Sequence, residues 1–163
     1  MYITRRLNKT LKLYKSSCFP YTTKTLSKHH RYQTTVGIGG NLGDVRKRFQ
    51  HLFYEIQRDK RVELVRTSLI LKNPPFGYTE QDDFFNSIMI LKTSMNAKDF
   101  LRYLQGLEKK FGRKRSFPNA PRTLDLDIIF FNNLVINTEN LTVPHPEYSK
   151  RESVIIPLAS MSL

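Results

Sequence analysis

Cysteine is almost absent from this 163-residue chain, and long apolar segments are missing altogether. The single cysteine, Cys18, excludes a disulfide within the chain, and the four scattered histidines lack the Cys/His spacing of a zinc site. No apolar run approaches the roughly 20 residues of a membrane-spanning helix, and the N-terminus lacks the apolar stretch of a secretory signal. These absences favour a cytoplasmic protein with no membrane partner.

Acidic residues are also missing from the first 34 positions, which hold eight of the 27 Lys and Arg residues. The remaining 19 basic and 14 acidic residues leave only +5 of the net charge of +13, which is weak evidence for a nucleic-acid partner. We interpret residues 1–34 as a basic N-terminal extension and residues 35–163 as one domain with its own core. A transit peptide fits less well, because this segment does not form one clean amphipathic helix.

Hydrophobic periodicity predicts strands and helices in the order β-α-β-β-α-β. Strand patterns cover residues 34–39, 62–71 and 84–93, and a fourth strand begins at Asp125. Helical patterns follow the cap candidates Asp44 and Asn96. This order is that of an α+β, ferredoxin-like fold with both helices packed on one side of the sheet. A short strand at 134–136 and a last apolar segment at 154–158 follow.

Two carboxylates interrupt the last long strand. Because side chains alternate along a strand, Asp125 and Asp127 project from one face while Leu124, Leu126 and Ile128 face the core. Carboxylates about 7 Å apart along a strand can hold magnesium, which takes oxygen ligands and leaves positions for substrate phosphate. A polar face turned to solvent is the alternative, but the rest of the strand is apolar, and unpaired carboxylates on a central strand are costly.

Basic residues lie just upstream of these carboxylates. They are Arg113, Lys114, Arg115 and Arg122. Guanidinium groups pair well with phosphate oxygens, so this segment can clamp a polyphosphate beside the metal. The glycine-rich segment at 37–44 allows a tight turn, but it lacks the Gly-Lys-Ser/Thr ending of a P-loop.

Four segments together resemble the hydroxymethyldihydropterin pyrophosphokinase family of folate biosynthesis. They lie at residues 39–44, 73–86, 112–127 and 141–146, and the resemblance covers residues 35 to about 159. It implies transfer of pyrophosphate from ATP to 6-hydroxymethyl-7,8-dihydropterin, with release of AMP. It also implies ATP as co-substrate and two Mg²⁺ ions, because such a transfer needs alignment and charge neutralisation more than a protein nucleophile.

The resemblance assigns roles to individual residues. Both metal ions would lie on Asp125 and Asp127, and the catalytic arginines that meet the phosphates would be Arg113, Arg115 and Arg122. The remaining nucleotide contacts would be Gln105, Glu108, His145 and Arg151. Gln105 and Glu108 could equally be the polar flank of a helix, and His145 a structural turn residue. The pterin would be bound by Asn73, Pro74, Pro75, Phe76, Gly77, Phe84 and Asn86.

Some positions depart from the family pattern. Ser153 stands where members commonly place an aromatic ring that stacks on the pterin, a ring that Phe117, Phe76 or Tyr148 could supply instead. Asn119 and Asn140 also differ from residues common in the family. These departures leave a catalytically degenerate relative as one alternative function.

An RNA-binding ferredoxin-like module is the other alternative, because it shares the order of strands and helices. The chain lacks the exposed aromatic pattern that such a module needs on a strand. We therefore expect a monomeric enzyme whose partners are ATP and the pterin, without nucleic acid. We also expect residues 1–34 to be dispensable for catalysis, since every motif begins at or after Gly37.

Overall fold

A computed structural model gives the structure of the protein and describes residues 1–114 and 116–162. In this part of the chain, one antiparallel sheet contains eight strands. They are β1 (Tyr2–Arg6), β2 (Lys12–Lys15), β3 (Tyr21–Thr22), β4 (Tyr32–Gly40), β5 (Val62–Thr67), β6 (Ile70–Asn73), β7 (Phe84–Thr93) and β8 (Asp125–Phe131). Two further strands, β9 (Ile136–Asn137) and β10 (Thr142–Val143), pair only with each other. The α-helices are α1 (Val45–Arg58), α2 (Ala97–Lys110) and α3 (Glu152–Ser160), and a 3-10 turn covers Tyr148–Lys150.

The strand order confirms the predicted α+β, ferredoxin-like fold. The sheet runs β1-β2-β6-β7-β4-β8, with β5 beside the C-terminal half of β7. The strand predicted at 62–71 is therefore two strands. They separate at Ser68, whose hydroxyl accepts a hydrogen bond from the Ile88 N–H and lies 2.8 Å from the Ser87 hydroxyl. These buried hydroxyl contacts replace one step of the backbone ladder and let both strands pair with β7.

Helices α1 and α2 cover the same face of the sheet, as predicted. The Asp44 carboxylate accepts from the Lys47 N–H and the Asn96 side chain accepts from the Asp99 N–H, so both predicted caps are confirmed. The apolar stripe of α1 and that of α2 share one core with the inner face of the sheet. Helix α3, which the sequence indicates only as an apolar segment, packs on the opposite face, where Val154 and Met161 meet Ile88 and Ile129.

The first 34 residues contribute three strands to this sheet. β2 pairs with β6 through Leu13 and Leu71, and β3 pairs with β5. Phe19 is 1% exposed, and its ring lies 5.8 Å from that of Phe49 and 6.2 Å from that of Phe53. The boundary at residue 35 stays a prediction, but the segment before it shares the hydrophobic core of the rest. This packing argues against its being dispensable.

We predict that Phe19→Ala lowers the free energy of unfolding by about 3 kcal/mol, because it leaves a cavity against two rings. Leu26→Ala is the control in the same segment. Its side chain is 58% exposed, and we expect a change below about 0.5 kcal/mol. Urea denaturation measures both variants. Small and equal effects would contradict the assignment of this segment to the core.

Candidate active site

Two cavities meet at the N-terminal end of β8. Their volumes are about 750 Å³ and about 470 Å³. The first lies beside α2 and the loop that precedes β8, and the second lies between the loop after β6, strand β4 and the start of α3. Five residues line both cavities: Asn119, Arg122, Asp125, Asp127 and His145. A group moving from one cavity to the other would therefore pass the two carboxylates.

The two aspartates stand where alternation along β8 predicts them. Leu126 and Ile128 are buried in the core under α1 and α2, which leaves both carboxylates on the other face of the strand. Asp127 pairs across the ladder with Gly37, and Asp125 pairs with Gly39. A Cβ on Gly39 would lie 2.5 Å from Oδ1 of Asn86. This glycine thus allows a cavity-lining amide to approach the backbone beside the aspartates.

One guanidinium connects helix α2 to β8. The Arg113 Nη1 donates to Oε1 of Glu108 and to Oδ1 of Asp125, each at 2.6 Å. The Arg122 Nη1 donates to Oδ2 of Asp125 at 3.2 Å. Glu108, only 5% exposed, also accepts from the Leu126 N–H at 2.8 Å. Glu108 lines the first cavity as expected, and its contacts give it the further task of orienting Arg113.

Asp127 carries a carboxyl group with a strongly raised pKa. Burial raises its pKa to about 7, and the negative charges of Asp125 and Glu108 add to the effect, while Arg151 and Arg113 oppose it. Burial disfavours the charged form, and like charges do the same. A bound divalent cation would relieve both costs.

The donor set fits magnesium as an ion shared with a substrate. Within residues 1–114 and 116–162, no group of three or more His, Cys, Asp or Glu side chains is arranged to hold a metal. Asp125 and Asp127 offer carboxylate oxygens on one face of β8, beside guanidinium groups. Magnesium commonly binds one or two carboxylates and completes its shell with water and substrate phosphate. Two carboxylates next to a cavity lined by guanidinium groups offer a donor set of that kind.

His145 enters both cavities from the turn after β10. Its backbone N–H donates to the Ile129 carbonyl at 2.9 Å, which fixes the turn against β8. Its ring Nδ1 accepts from the Glu147 N–H at 3.2 Å. Burial, and then the charge of Arg151, lower the pKa of the imidazole. The ring is therefore neutral near pH 7, and Nε2 carries the proton that can be donated to a ligand oxygen.

The first cavity holds most of the residues expected at the nucleotide. Gln105, Glu108 and Arg113 line it together with the five shared residues. Arg115 lies outside the described residues. Arg151 lines the second cavity, where its guanidinium stands 5.8 Å from the centre of the Phe76 ring. Its assignment to the triphosphate stays a prediction.

The second cavity collects the residues expected at the pterin. Asn73, Pro74, Pro75, Phe76, Phe84 and Asn86 line it, together with Ser153. The Asn86 amide donates to Oδ1 of Asn73 at 2.7 Å, and the guanidinium of Arg122 covers the Phe84 ring at 5.1 Å. Gly77 follows Phe76 and does not line this cavity. Its φ is +79°, and a Cβ there would lie 2.6 Å from the Asn119 side-chain amide.

Phe76 is the remaining candidate for the ring that Ser153 does not provide. Of the three aromatic residues considered, Phe76 lines the second cavity and is 73% exposed. Phe117 lines the first cavity, where its ring contacts Tyr78. Tyr148 packs against Phe130 in the core beneath α3.

A polar network holds the backbone of Arg122 in place. The sequence analysis assigned no role to the side chains that form this network. The Asn41 side chain accepts from the Arg122 N–H at 3.0 Å and donates to the Gln81 side chain at 2.8 Å. The Gln81 amide donates in turn to the Asn119 carbonyl at 2.9 Å. Asn41 is 4% exposed. The sequence signal for this network was an asparagine within the glycine-rich turn. A side-chain amide that becomes buried there needs hydrogen-bond partners.

Comparison with known families shows which family the chain belongs to. Residues 35–162 match the family model of 7,8-dihydro-6-hydroxymethylpterin-pyrophosphokinase. The chain belongs to this family.

Relatives in this pyrophosphokinase family come from several bacteria. The chain is 41% identical over 144 residues to the 2-amino-4-hydroxy-6-hydroxymethyldihydropteridine pyrophosphokinase of Campylobacter jejuni, covering 88% of this chain and 91% of that protein. It is 41% identical over 129 residues to the Helicobacter pylori protein of the same name, covering 78% of this chain and 79% of that protein. The Bacillus subtilis protein of that name is 36% identical over 126 residues, which is 77% of this chain and 75% of that protein.

We predict that Asp127→Asn raises the free energy of unfolding at pH 8 without magnesium, and that the gain disappears towards pH 4. The carboxyl pKa is about 7 in the folded protein and about 3.9 in an unfolded chain. The unfolded state therefore loses its proton first, so this group lowers stability as pH rises from about 4 to about 7. We expect a gain of at least about 1 kcal/mol at pH 8.

Urea unfolding at pH 4, 6 and 8 in the presence of a chelator measures this gain. Asp82→Asn is the control, because Asp82 is exposed. Magnesium should stabilise the wild type at pH 8 more than it stabilises Asp127→Asn. A difference in unfolding free energy between Asp127→Asn and the wild type that stays constant from pH 4 to pH 8 would contradict the raised pKa of Asp127.

Proposed function

We propose that this chain transfers pyrophosphate from ATP to 6-hydroxymethyl-7,8-dihydropterin, with release of AMP, as a magnesium-dependent cytoplasmic enzyme of folate biosynthesis. The observation that carries the proposal is that two chemically different cavities share Asp125, Asp127 and Arg122. The first is lined by cationic groups suited to phosphates. The second has a proline-rich wall with aromatic and amide groups suited to a flat heterocycle. Family membership supports the same reaction.

The first cavity suits ATP because its polar groups match a polyphosphate. Arg113, Lys114 and Arg122 line it, and His145 can donate from Nε2. Within the described part of the chain, the Arg122 Nε is buried without a hydrogen-bond partner. A buried donor of this kind is costly unless a ligand satisfies it. Phosphate oxygens would do so.

The second cavity suits the pterin because it combines ring faces with hydrogen-bonding edges. Phe76 and Phe84 supply apolar surface, and Asn86 supplies an amide. The Asn73–Asn86 hydrogen bond holds that amide in a fixed orientation. A planar heterocycle with several donors and acceptors needs both kinds of contact.

The protein residues align the substrates and neutralise charge. Two Mg²⁺ ions on Asp125 and Asp127 would supply the positive charge that polarises the phosphates and aligns them with the pterin hydroxyl. Arg113 and Arg122 both pair with Asp125. Phosphate oxygens would offer these guanidinium groups new partners, which leaves the Asp125 oxygens available to a cation.

Product analysis tests this proposal directly. The protein is incubated with ATP, magnesium and the hydroxymethyl dihydropterin, and AMP and the pterin diphosphate are measured. Both products should form in equal amounts. ADP in place of AMP would overturn pyrophosphate transfer, and binding of both substrates without turnover would indicate a degenerate relative. The monomeric state and the absence of nucleic acid remain predictions, which light scattering and an RNA-binding assay would check.

We predict that Asp127→Ala folds but loses at least about 100-fold in transfer rate, a loss typical of removing one stabilising group from a site of this type. One carboxylate cannot hold two cations against the charge of ATP. Steady-state kinetics at fixed magnesium measure the rate, and circular dichroism confirms the fold. Asp82→Ala is the matched control and should keep the wild-type rate. Near-normal transfer by Asp127→Ala would contradict the metal assignment.

We predict that Arg122→Ala lowers kcat more than it raises the KM for ATP. Its guanidinium lies at the junction of the cavities, where charge develops during transfer, so its loss removes stabilisation of the transition state more than ground-state binding. Kinetics with each substrate varied in turn separate the two parameters. Arg46→Ala, on the exposed side of α1, is the control. A change confined to KM would make Arg122 a uniform binding contact.

A further inference from the structure

A residue from the N-terminal segment lines the second cavity. Thr10 contributes to the same wall as Asn73, Pro74 and Phe76, and Ser153 of α3 lies on that cavity too. Thr10 precedes the residues that match the family model, which begin at position 35. The cavity is therefore built partly from chain outside the matched region.

The turn that carries Thr10 has a defined shape. It connects β1 to β2 and is closed by a hydrogen bond from the Leu7 N–H to the Leu11 carbonyl at 3.0 Å. Oδ1 of Asn8 accepts from the N–H of Thr10 at 2.8 Å and from the N–H of Leu11 at 2.7 Å. Such an Asx turn restricts the backbone. Thr10 is therefore held in place rather than carried on a loose arm.

Packing fixes this turn against both neighbouring walls of the cavity. β2 pairs with β6 up to Lys12 opposite Lys72, and continuing that register brings Thr10 level with Pro74. Pairing stops there because proline has no N–H to donate. Leu11, which is 5% exposed, packs with Leu71 and with Ile156 of α3. The turn is thus anchored to the strand before the proline-rich loop and to α3.

The hydroxyl of Thr10 has a defined polarity. It lies 3.1 Å from Oδ1 of Asn8, to which it donates. Its oxygen keeps lone pairs that can accept a hydrogen bond. The side chain is uncharged and short, so it leaves room beside Pro74 for a planar ligand.

We propose that the turn between β1 and β2 is a wall of the pterin subsite and that Thr10 limits the room for the ligand on that side. The identity of the ligand rests on the proposed function. The wall itself rests on the anchored turn and on the cavity that Thr10 shares with the proline-rich loop. Thr10 lines this subsite and takes no part in the transfer itself.

Thiol labelling tests the position of Thr10 without requiring turnover. Thr10→Cys introduces one accessible thiol, because the native Cys18 is 3% exposed. Saturating pterin should slow the alkylation of this thiol several-fold, whereas a nonhydrolysable ATP analogue alone should not. Thr4→Cys is the matched control, an exposed position on the same hairpin that does not line the cavity. Its labelling rate should not change.

Pterin affinity gives a second, independent readout. Thr10→Phe should weaken pterin binding about fivefold or more, since overpacking costs at least the corresponding free energy. The affinity for the ATP analogue should stay at the wild-type value, and Thr4→Phe should alter neither. Fluorescence titration measures both ligands, and urea unfolding verifies that each variant is folded.

The outcomes separate this inference from the proposed function. Unprotected labelling of Thr10→Cys while titration shows bound pterin would overturn the inference alone, as would unchanged pterin affinity in Thr10→Phe. Equal effects at Thr4 and Thr10 would also overturn it, because they would indicate an action through the stability of the hairpin. Wild-type protein that binds the pterin and does not form AMP would overturn the proposed function. The labelling result would then still show whether Thr10 lines the pterin subsite.

Discussion

The ion pair between Arg113 and Asp125 is the interaction on which the site depends most. The Arg113 guanidinium also donates to Glu108, and Glu108 accepts from the Leu126 N–H. One arginine side chain therefore connects helix α2 to the strand that carries both aspartates. Removing one partner from this partly buried group leaves a charge without compensation, which costs more than the loss of a fully exposed pair. The same contacts keep guanidinium groups beside the carboxylates. The relative placement of these groups is thus established by folding.

Arg122 links the two cavities through contacts with residues from three separate segments of the chain. Its backbone N–H is held by the buried Asn41, its guanidinium covers the Phe84 ring, and its Nη1 pairs with Asp125. A substrate in either cavity would therefore contact the same side chain. Binding of one substrate can affect the position of a group that the other needs, which suits a reaction between two bound molecules.

Much of this arrangement follows from local sequence patterns. The caps at Asp44 and Asn96, the stripes of α1 and α2 and the alternation along β8 are all set by residues close together in the chain, which is why they could be predicted. Other features depend on distant partners. The separation of β5 from β6 arises from the contact of Ser68 with Ser87, and the strands before residue 34 form because Leu13 and Phe19 find apolar partners supplied by β6 and α1. Arg151 and Thr10 both line the second cavity. Neither placement could be predicted from the sequence, because each depends on contacts between distant parts of the chain.

The order of strands in the sheet has a consequence for the growing polypeptide. β2 pairs with β6, and β3 pairs with β5, so neither early strand has its neighbour until about 70 residues have emerged. β8 is the last strand to join the main sheet, and α3 follows it. Pairings this distant in sequence slow folding, because the entropic cost of closing the loops comes before the stabilising contacts form. A nascent chain that stops before β8 would therefore lack both the carboxylates and the wall formed by α3.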